Sequence, residues 1–340
     1  MVKVTVLGTG SWGTALAKVL AENNHEVLIW GRDKRVVEEI NQGHTNHRYL
    51  KKTHLPATLV ATADFEAAVQ RAEAILIVIP THAMREIVQR IEAVLQDQPT
   101  KPLIVHATKG LEPHTHLRMT QVIEAVLKGQ GYPEPVVLSG PSHAEEVARR
   151  DLTTVTAASE NLKVAQKVQA IFMNQYFRVY TNQDVLGVEL GAALKNIIAL
   201  GAGILVGLGY GDNAKAGLVT RGLAEITRLG VKLGADPLTF LGLSGVGDLV
   251  VTCTSPHSRN WQAGNLLAQG LTKEEVAQEI DMVVEGITTT AVAYDLANEE
   301  QVEMPITNAI YSALYQGVPV REAVEGLMLR EGKQEAISQD

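Results

Sequence analysis

Over the first half of the chain, short apolar runs alternate with segments whose apolar positions recur every three to four residues. The runs at Val2–Leu7, Val27–Trp30, Leu59–Ala61, Ala74–Ile79, Leu103–His106, Val136–Leu138, Thr153–Ala157 and Tyr176–Tyr180 are short, rich in branched side chains and bounded by turn residues, so they read as strands. Strand-helix alternation of this kind predicts an α/β unit, a Rossmann-type doubly wound parallel sheet covered on both faces, over residues 1–182. Past that point the strand signal stops. Val185–Leu208, Lys215–Leu233, Val292–Asn298 and Pro305–Tyr315 carry helical periodicity, and Thr272-Lys273-Glu274-Glu275 opens a further helix as a capping box. Residues 183–340 are therefore expected to form an all-α domain. The stretch from Arg330 is charged and expected to fray.

Ligands of open parallel sheets bind beyond the carboxyl ends of the strands, so the residues that follow each run matter most. The first run enters Gly8-Thr9-Gly10-Ser11-Trp12-Gly13-Thr14-Ala15 and then a helical pattern. In this arrangement Gly8 permits the tight turn, Gly10 lets backbone N–H groups approach a pyrophosphate, and Gly13 allows close helix-to-strand packing. With 29 glycines in the chain the spacing alone says little; the strand before it, the helix after it and the second strand at Val27 carry the reading. The second strand ends in Trp30-Gly31-Arg32-Asp33, where an NAD-selective site places an acid for the ribose 2′-hydroxyl. Arg32 offers a guanidinium able to pair with a 2′-phosphate, which favours NADPH; adjacent Asp33 leaves NADH open, and a solvated Arg32 at a turn is the bland alternative. Pro80-Thr81, Lys109-Gly110 and Gly140-Pro141-Ser142 follow later strands on the same side of the sheet, as substrate contacts or as plain turns.

Composition narrows the classes. At 340 residues two domains are the natural prior. A net charge of −8 with dispersed acids and bases argues against nucleic acid or an anionic membrane surface. The single cysteine, Cys253, excludes an internal disulfide and suits a reducing cytoplasm. A strand beginning at residue 2 leaves no room for a secretory leader, and the most apolar run, Ile197–Leu208, is broken by glycines and flanked by Lys195, so it is expected as a buried helix and not a membrane insertion. The histidines lack metal-ligand spacing, so no metal is expected, and Ser142 has no triad partners.

In the helical half, Lys195 sits in Leu190-Gly191-Ala192-Ala193-Leu194-Lys195-Asn196-Ile197-Ile198, almost wholly among apolar neighbours. Burial and a second lysine nearby would bring its pKa toward the range useful for proton transfer; the alternative is an amine snorkelling to solvent. Asp248, in Ser244-Gly245-Val246-Gly247-Asp248-Leu249, is expected as an exposed carboxylate able to orient a lysine or a substrate hydroxyl, and equally as a helix N-cap. Ser258-Arg259-Asn260 opens a helical pattern with groups suited to a phosphate, or caps that helix with a surface arginine. Cys253 reads as packing volume.

Taken in order, the blocks Gly8 to Ala15, Lys109-Gly110-Leu111, Ser139 to Ala148, Leu194-Lys195-Asn196, Gly211 to Ala216, Gly247-Asp248-Leu249, Ser258-Arg259-Asn260 and Val284-Glu285-Gly286 resemble those of bacterial-type NAD(P)-dependent glycerol-3-phosphate dehydrogenases over nearly the whole chain. The resemblance implies that Ser11, Trp12, Arg32, Lys109, Ala144, Arg259, Val283 and Glu285 join Gly8, Gly10 and Gly13 at the nicotinamide cofactor, NADPH or less readily NADH. It implies that Lys109, Gly140, Ser142, Lys195, Asp248, Ser258, Arg259 and Asn260 hold dihydroxyacetone phosphate or sn-glycerol 3-phosphate, with Lys195 catalytic as the acid/base. One departure is Ala192, where the family commonly has glycine. The same resemblance implies a role in supplying glycerol 3-phosphate for phospholipid synthesis, and it leaves a homodimer open. From the residues alone, a β-hydroxyacid or ketopantoate-type reductase and a non-catalytic NADPH-binding protein are the rival readings.

Overall fold

A computed structural model describes residues 1–280 and 283–335. The first half contains eight strands, β1 (Lys3–Leu7), β2 (Glu26–Trp30), β3 (Val60–Thr62), β4 (Ala74–Ile77), β5 (Leu103–His106), β6 (Val136–Ser139), β7 (Thr153–Ala158) and β8 (Phe177–Asn182), each within two residues of the expected ends. Between them run α1 (Ser11–Glu22), α2 (Lys34–Gly43), α3 (Phe65–Gln70), α4 (Met84–Leu95), α5 (Met119–Leu127), α6 (Ala144–Ala148) and α7 (Leu162–Phe172).

The strands form one sheet in the order β3-β2-β1-β4-β5-β6-β7-β8. Side chains alternate across it. Val4, Val6, Val27, Ile29, Val136 and Leu138 pack with α1, α6 and α7 on one face, while Leu7, Leu28, Trp30, Ile75, Ile77 and Ile104 pack with α3, α4 and α5 on the other. Burial on both faces explains why these runs are continuously apolar. The all-parallel expectation needs one correction, because β6 and β7 pair antiparallel. Their connection carries only the five-residue α6, which spans about 7.5 Å and does not return the chain to the opposite edge as a parallel crossover must.

The helical half comprises α8 (Val185–Gly207), α9 (Asp212–Lys232), α10 (Asp248–Thr254), α11 (Arg259–Ala268), α12 (Lys273–Ile280), α13 (Glu285–Glu299), α14 (Pro305–Tyr315) and α15 (Val320–Met328). Helix α13 begins seven residues before the expected Val292, because Gly286 and the run Thr288-Thr289-Thr290 dilute the apolar period there. Helix α8 is long and apolar enough to cross a membrane, yet 89% of its most apolar window is buried within the protein. It packs on α11 at backbone distance: a Cβ on Gly203 would lie 1.9 Å from Trp261 O, and one on Gly264 would lie 2.0 Å from Leu200 O. The predicted capping box of α12 is present, with Thr272 N donating to Glu275 Oε2 and Glu275 N donating to Thr272 Oγ1. Buried Glu225 on α9 accepts from the backbone N–H groups of Ile306 and Thr307, the first donors of α14 after Pro305. Burial pushes its carboxyl up to about 7, against those hydrogen bonds.

Two compact units result, one of residues 1–112 with 117–189 and one of 113–116 with 190–340. The division lies inside α8, beyond the expected 182/183, because the first turns of α8 belong to the sheet unit: Val185 and Val188 pack on Val137 and Ala158.

Candidate active site

In the sheet unit, the turn from β1 to α1 is shaped by its glycines. Gly8 has φ of +124°, and a Cβ there would sit 2.1 Å from Val78 O; a Cβ on Gly13 would sit 2.1 Å from Gly8 O. Both are glycine because protein backbone passes too close for anything else. Gly10 differs, since a Cβ there would meet nothing within 4 Å. It is the N-cap of α1, which has no side-chain cap and no acidic residue in its first turn. A helix start with unclaimed N–H groups, approached across a residue without a side chain, fits a dinucleotide pyrophosphate. Trp12 lies in that first turn, its buried Nε1 lacking a hydrogen-bond partner among the described residues.

At the end of β2, Arg32 is exposed and has no ion-pair partner among the described residues. Asp33 is occupied elsewhere. Its Oδ1 caps α2 by accepting from Arg35 N at 3.0 Å, and its Oδ2 lies 3.6 Å from Arg48 Nη1. The Arg35 backbone N–H and guanidinium hold this carboxyl below the usual range. The acid that left NADH open is thus engaged with its own helix, and the cation beside it is not.

Beyond β5 and β6, three expected substrate residues converge on one carbonyl. Lys109 Nζ donates to Gly140 O at 3.2 Å and Ser142 Oγ donates to it at 2.9 Å. Gly140 has φ of +143°, and a Cβ there would press on Val155 Cα at 2.9 Å. Thr108 Oγ1 donates to Ile79 O, tying the Lys109 loop to the end of β4. Ala144 is buried at the start of α6.

The same unit holds an ion cluster absent from the expected site. Glu189, on the first turns of α8, is fully buried; it accepts from Arg118 Nη1 at 2.5 Å and from Thr120 N at 2.8 Å, and lies 3.3 Å from His106 Nε2. Burial opposes its charge, but the His106 hydrogen bond, the Arg118 guanidinium and the Thr120 N–H together hold the carboxyl below its ordinary value. His106 is three residues before Lys109, so the cluster anchors the strand end from which that loop departs. A glutamate within Val185–Leu190 was a visible signal.

In the helical unit, Lys195 is buried, and its Nζ donates to Asp248 Oδ1 at 2.5 Å and to Thr252 Oγ1 at 2.6 Å. The alternative of a solvent-snorkelling lysine does not hold. Asp248 is not an N-cap either: Gly247 takes that position, and Asp248, one residue inside α10, sends its carboxylate to the lysine. Asp248 is thus the carboxylate that orients the lysine, and it is buried where an exposed group was expected. Thr252 escaped the sequence reading, although its place one helical turn after Asp248 puts both on one face. Thr252 Oγ1 also donates to Asp248 O at 2.5 Å. Buried Cys253 lies beside them with its thiol pushed up to about 12, chiefly by burial, which leaves it inert.

Next to Lys195, Asn196 Oδ1 accepts from Asn260 Nδ2 at 2.9 Å, and Asn260 Oδ1 accepts from Gly286 N at 2.9 Å. This chain joins α8, α11 and the start of α13, and Gly286 is required, since a Cβ there would strike Asn260 Oδ1 at 2.7 Å. Ser258 caps α11, its Oγ accepting from Trp261 N, as the capping alternative expected. Exposed Arg259 donates to Val283 O at 3.2 Å, which gathers Arg259, Val283 and Glu285 at one corner.

The comparisons with known proteins place the chain in a family. The family described as NAD-dependent glycerol-3-phosphate dehydrogenase N-terminus matches residues 3–165, and its C-terminus counterpart matches residues 184–325. A glycerol-3-phosphate dehydrogenase (NAD(P)+) of Enterococcus faecalis is 59% identical over 333 residues, 98% of this chain and 97% of that protein. One of Ligilactobacillus salivarius is 55% identical over the same share of this chain. The crystal structure of glycerol-3-phosphate dehydrogenase from Coxiella burnetii superposes with a TM-score of 0.91 at 38% identity, covering 97% of this chain and 99% of that one. With a glycine turn, a lysine-aspartate pair and both halves of the pattern in place, the chain belongs to the NAD-dependent glycerol-3-phosphate dehydrogenase family.

Proposed function

We propose that this protein interconverts dihydroxyacetone phosphate and sn-glycerol 3-phosphate with NADPH, and less readily with NADH, supplying glycerol 3-phosphate for glycerophospholipid synthesis in the cytoplasm. The observation that carries the reading is the buried Lys195 amine, fixed between Asp248 and Thr252 in a member of this family. We assign residues 1–182 the cofactor-binding role and residues 183–340 the substrate role. The sheet unit contributes Gly8, Gly10, Ser11, Trp12, Gly13, Arg32 and Ala144 to the cofactor, and Lys109, Gly140 and Ser142 to both ligands or to substrate. The helical unit contributes Lys195, Asp248, Ser258, Arg259 and Asn260 to substrate, with Arg259, Val283 and Glu285 also serving the cofactor.

When bound, the nicotinamide cofactor supplies the hydride that reduces C2 of the ketone. Lys195, as ammonium, gives its proton to the oxygen at C2 as negative charge develops there, and regains one from solvent; in the reverse direction it takes the hydroxyl proton. Asp248 and Thr252 hold the amine in place, which removes the need to reorganise during the reaction. Arg259 at the first turn of α11 and the N–H groups behind the Ser258 cap bind the phosphate.

The test follows the near-ultraviolet absorbance of the reduced cofactor. Its loss with dihydroxyacetone phosphate, and not with 2-oxo acids or ketopantoate, supports the assignment; loss only with carboxylate ketones replaces it with the hydroxyacid class, and binding without turnover replaces it with a sensor. Arg259→Ala is expected to raise KM for dihydroxyacetone phosphate about 10-fold or more, the loss of a charge-assisted bond, with a smaller effect on kcat. An unchanged KM removes Arg259 from the phosphate site.

A further inference from the structure

The turn after α2 touches both halves of the expected cofactor site, and nothing in the reaction described above employs it. Asn46 is completely buried; its Nδ2 donates to Thr9 O at 2.9 Å, inside the glycine turn, and to Thr14 Oγ1 at 2.9 Å, on α1. From that anchor the chain turns tightly, Tyr49 N and Leu50 N both donating to Asn46 O, with Leu50 buried as the second foot. Arg48 stands on the turn between these feet. Its guanidinium lies 5.3 Å from the Tyr49 ring centre and 3.6 Å from Asp33 Oδ2, beside Arg32.

We propose that Arg48 is a second cation, with Arg32, for the 2′-phosphate of the cofactor's adenosine, and that Asn46 is the positioning residue that places it, so that the turn of residues 46–50 sets the preference for the phosphorylated dinucleotide. The inference rests on the cofactor reading above and deepens it. Two guanidinium groups, those of Arg35 and Arg48, lie within 3.6 Å of the Asp33 carboxylate, and Arg32 and Lys34 flank it in the chain, at the strand end that meets the adenosine ribose. A phosphate monoester brings a charge of about −1.5 to −2 at neutral pH, more than one exposed guanidinium balances. At 3.6 Å and half exposed, the pair of Arg48 with Asp33 is longer than a hydrogen bond and loosely held, which aims the fork without consuming it. The stacked tyrosine ring limits the side chain further. Because Asn46 binds the carbonyl of Thr9, the turn that carries Arg48 is referenced to the same backbone that is to cradle the pyrophosphate.

Calorimetric titration of the whole protein with NADP+ and with NAD+ tests this without turnover. Arg48→Ala is expected to weaken NADP+ about 10-fold, the loss of one charge-assisted contact, and NAD+ less than about twofold, with Arg48→Lys between wild type and alanine because charge is kept and the planar fork is lost. Asn46→Ala is expected to weaken NADP+ as well, and the double variant to bind it no worse than Asn46→Ala alone, since both changes remove one contact. Equal weakening of both ligands by Arg48→Ala, or none, overturns the inference while the cofactor reading stands, provided wild type prefers NADP+ and Arg32→Ala abolishes the preference. Multiplicative effects in the double variant overturn the positioning role of Asn46. A wild type that favours neither ligand overturns the inference together with the NADPH preference on which it rests.

Discussion

Lys195→Ala is expected to lower kcat by a factor of about 100 to 1,000, the usual loss when an aimed donor to a developing oxyanion is removed, while NADPH affinity and the KM for cofactor stay within about twofold. The split follows from placement. Lys195 belongs to the helical unit, where it is held by Asp248 and Thr252, and the groups assigned to the pyrophosphate and adenosine belong to the sheet unit. The variant has a second consequence that must be separated from the first. Asp248 is 1% exposed, so deleting the amine strands a buried carboxylate, at a cost of about 3–5 kcal/mol. Lys195→Ala combined with Asp248→Asn removes that charge and should recover most of the lost stability, measured by thermal unfolding, without recovering kcat. Turnover restored by the double change, or retained by the single one, would show that the amine serves only to neutralise Asp248. Thr252→Val should fall between, because it frees one direction of the amine and leaves the carboxylate pair intact.

Glu189→Ala is expected to be the most damaging single change in the sheet unit outside its apolar cores, at about 3–5 kcal/mol, which is roughly 6–20 °C in Tm for a unit of this size. The variant leaves Arg118, 16% exposed in its side chain, without its carboxylate, and it leaves the Thr120 N–H at the start of α5 and the His106 ring in an apolar interior. Glu189→Gln keeps one acceptor and should cost less. Activity near normal at low temperature, with an early unfolding transition, is the expected pattern, since none of these atoms is assigned to a ligand. Because the folded-state pKa is depressed, the carboxylate stabilises above the unfolded value of 4.5, and that contribution is lost as pH falls through the folded value. A Glu189→Ala protein as stable as wild type at neutral pH would mean the cluster balances desolvation against attraction and contributes nothing.

The strands were legible because burial on both faces demands uninterrupted branched residues, and Leu103–His106 is placed to the residue. The direction of β7 was not, since hydropathy carries no sign for strand polarity and only the shortness of α6 forces the reversal. At the site, Lys195 stood out because a charge in an apolar helix needs a partner, and Asp248 was one of two readings until its neighbour was known. Thr252 gave no such contrast; a threonine within Leu249–Thr254 looks like any helical residue until an amine lies above it. Asn46 was hidden for a different reason. Its partners are 37 and 32 residues earlier in the chain, so nothing local marks it apart from other polar loop residues. Arg118 and Thr120 are likewise 71 and 69 residues from Glu189.

Glu225, the carboxyl that caps α14 from inside the helical unit, makes folding of that unit a proton-uptake reaction near neutrality. A group that ionises at 4.5 in the unfolded chain and at about 7 in the folded one stabilises fully below 4.5 and loses that contribution as pH rises through 7, by up to about 3 kcal/mol. Relative to Glu225→Gln, which cannot titrate, wild type should therefore gain resistance to urea on mild acidification, the reverse of the trend at Glu189. An unchanging difference between the two proteins from pH 5 to about 8 would mean that the α14 donors keep this carboxyl ionised throughout. Mild acidification from neutrality thus tightens the half of the molecule that carries Lys195 and leaves the Glu189 contribution in the other half intact, since that one is lost only below 4.5.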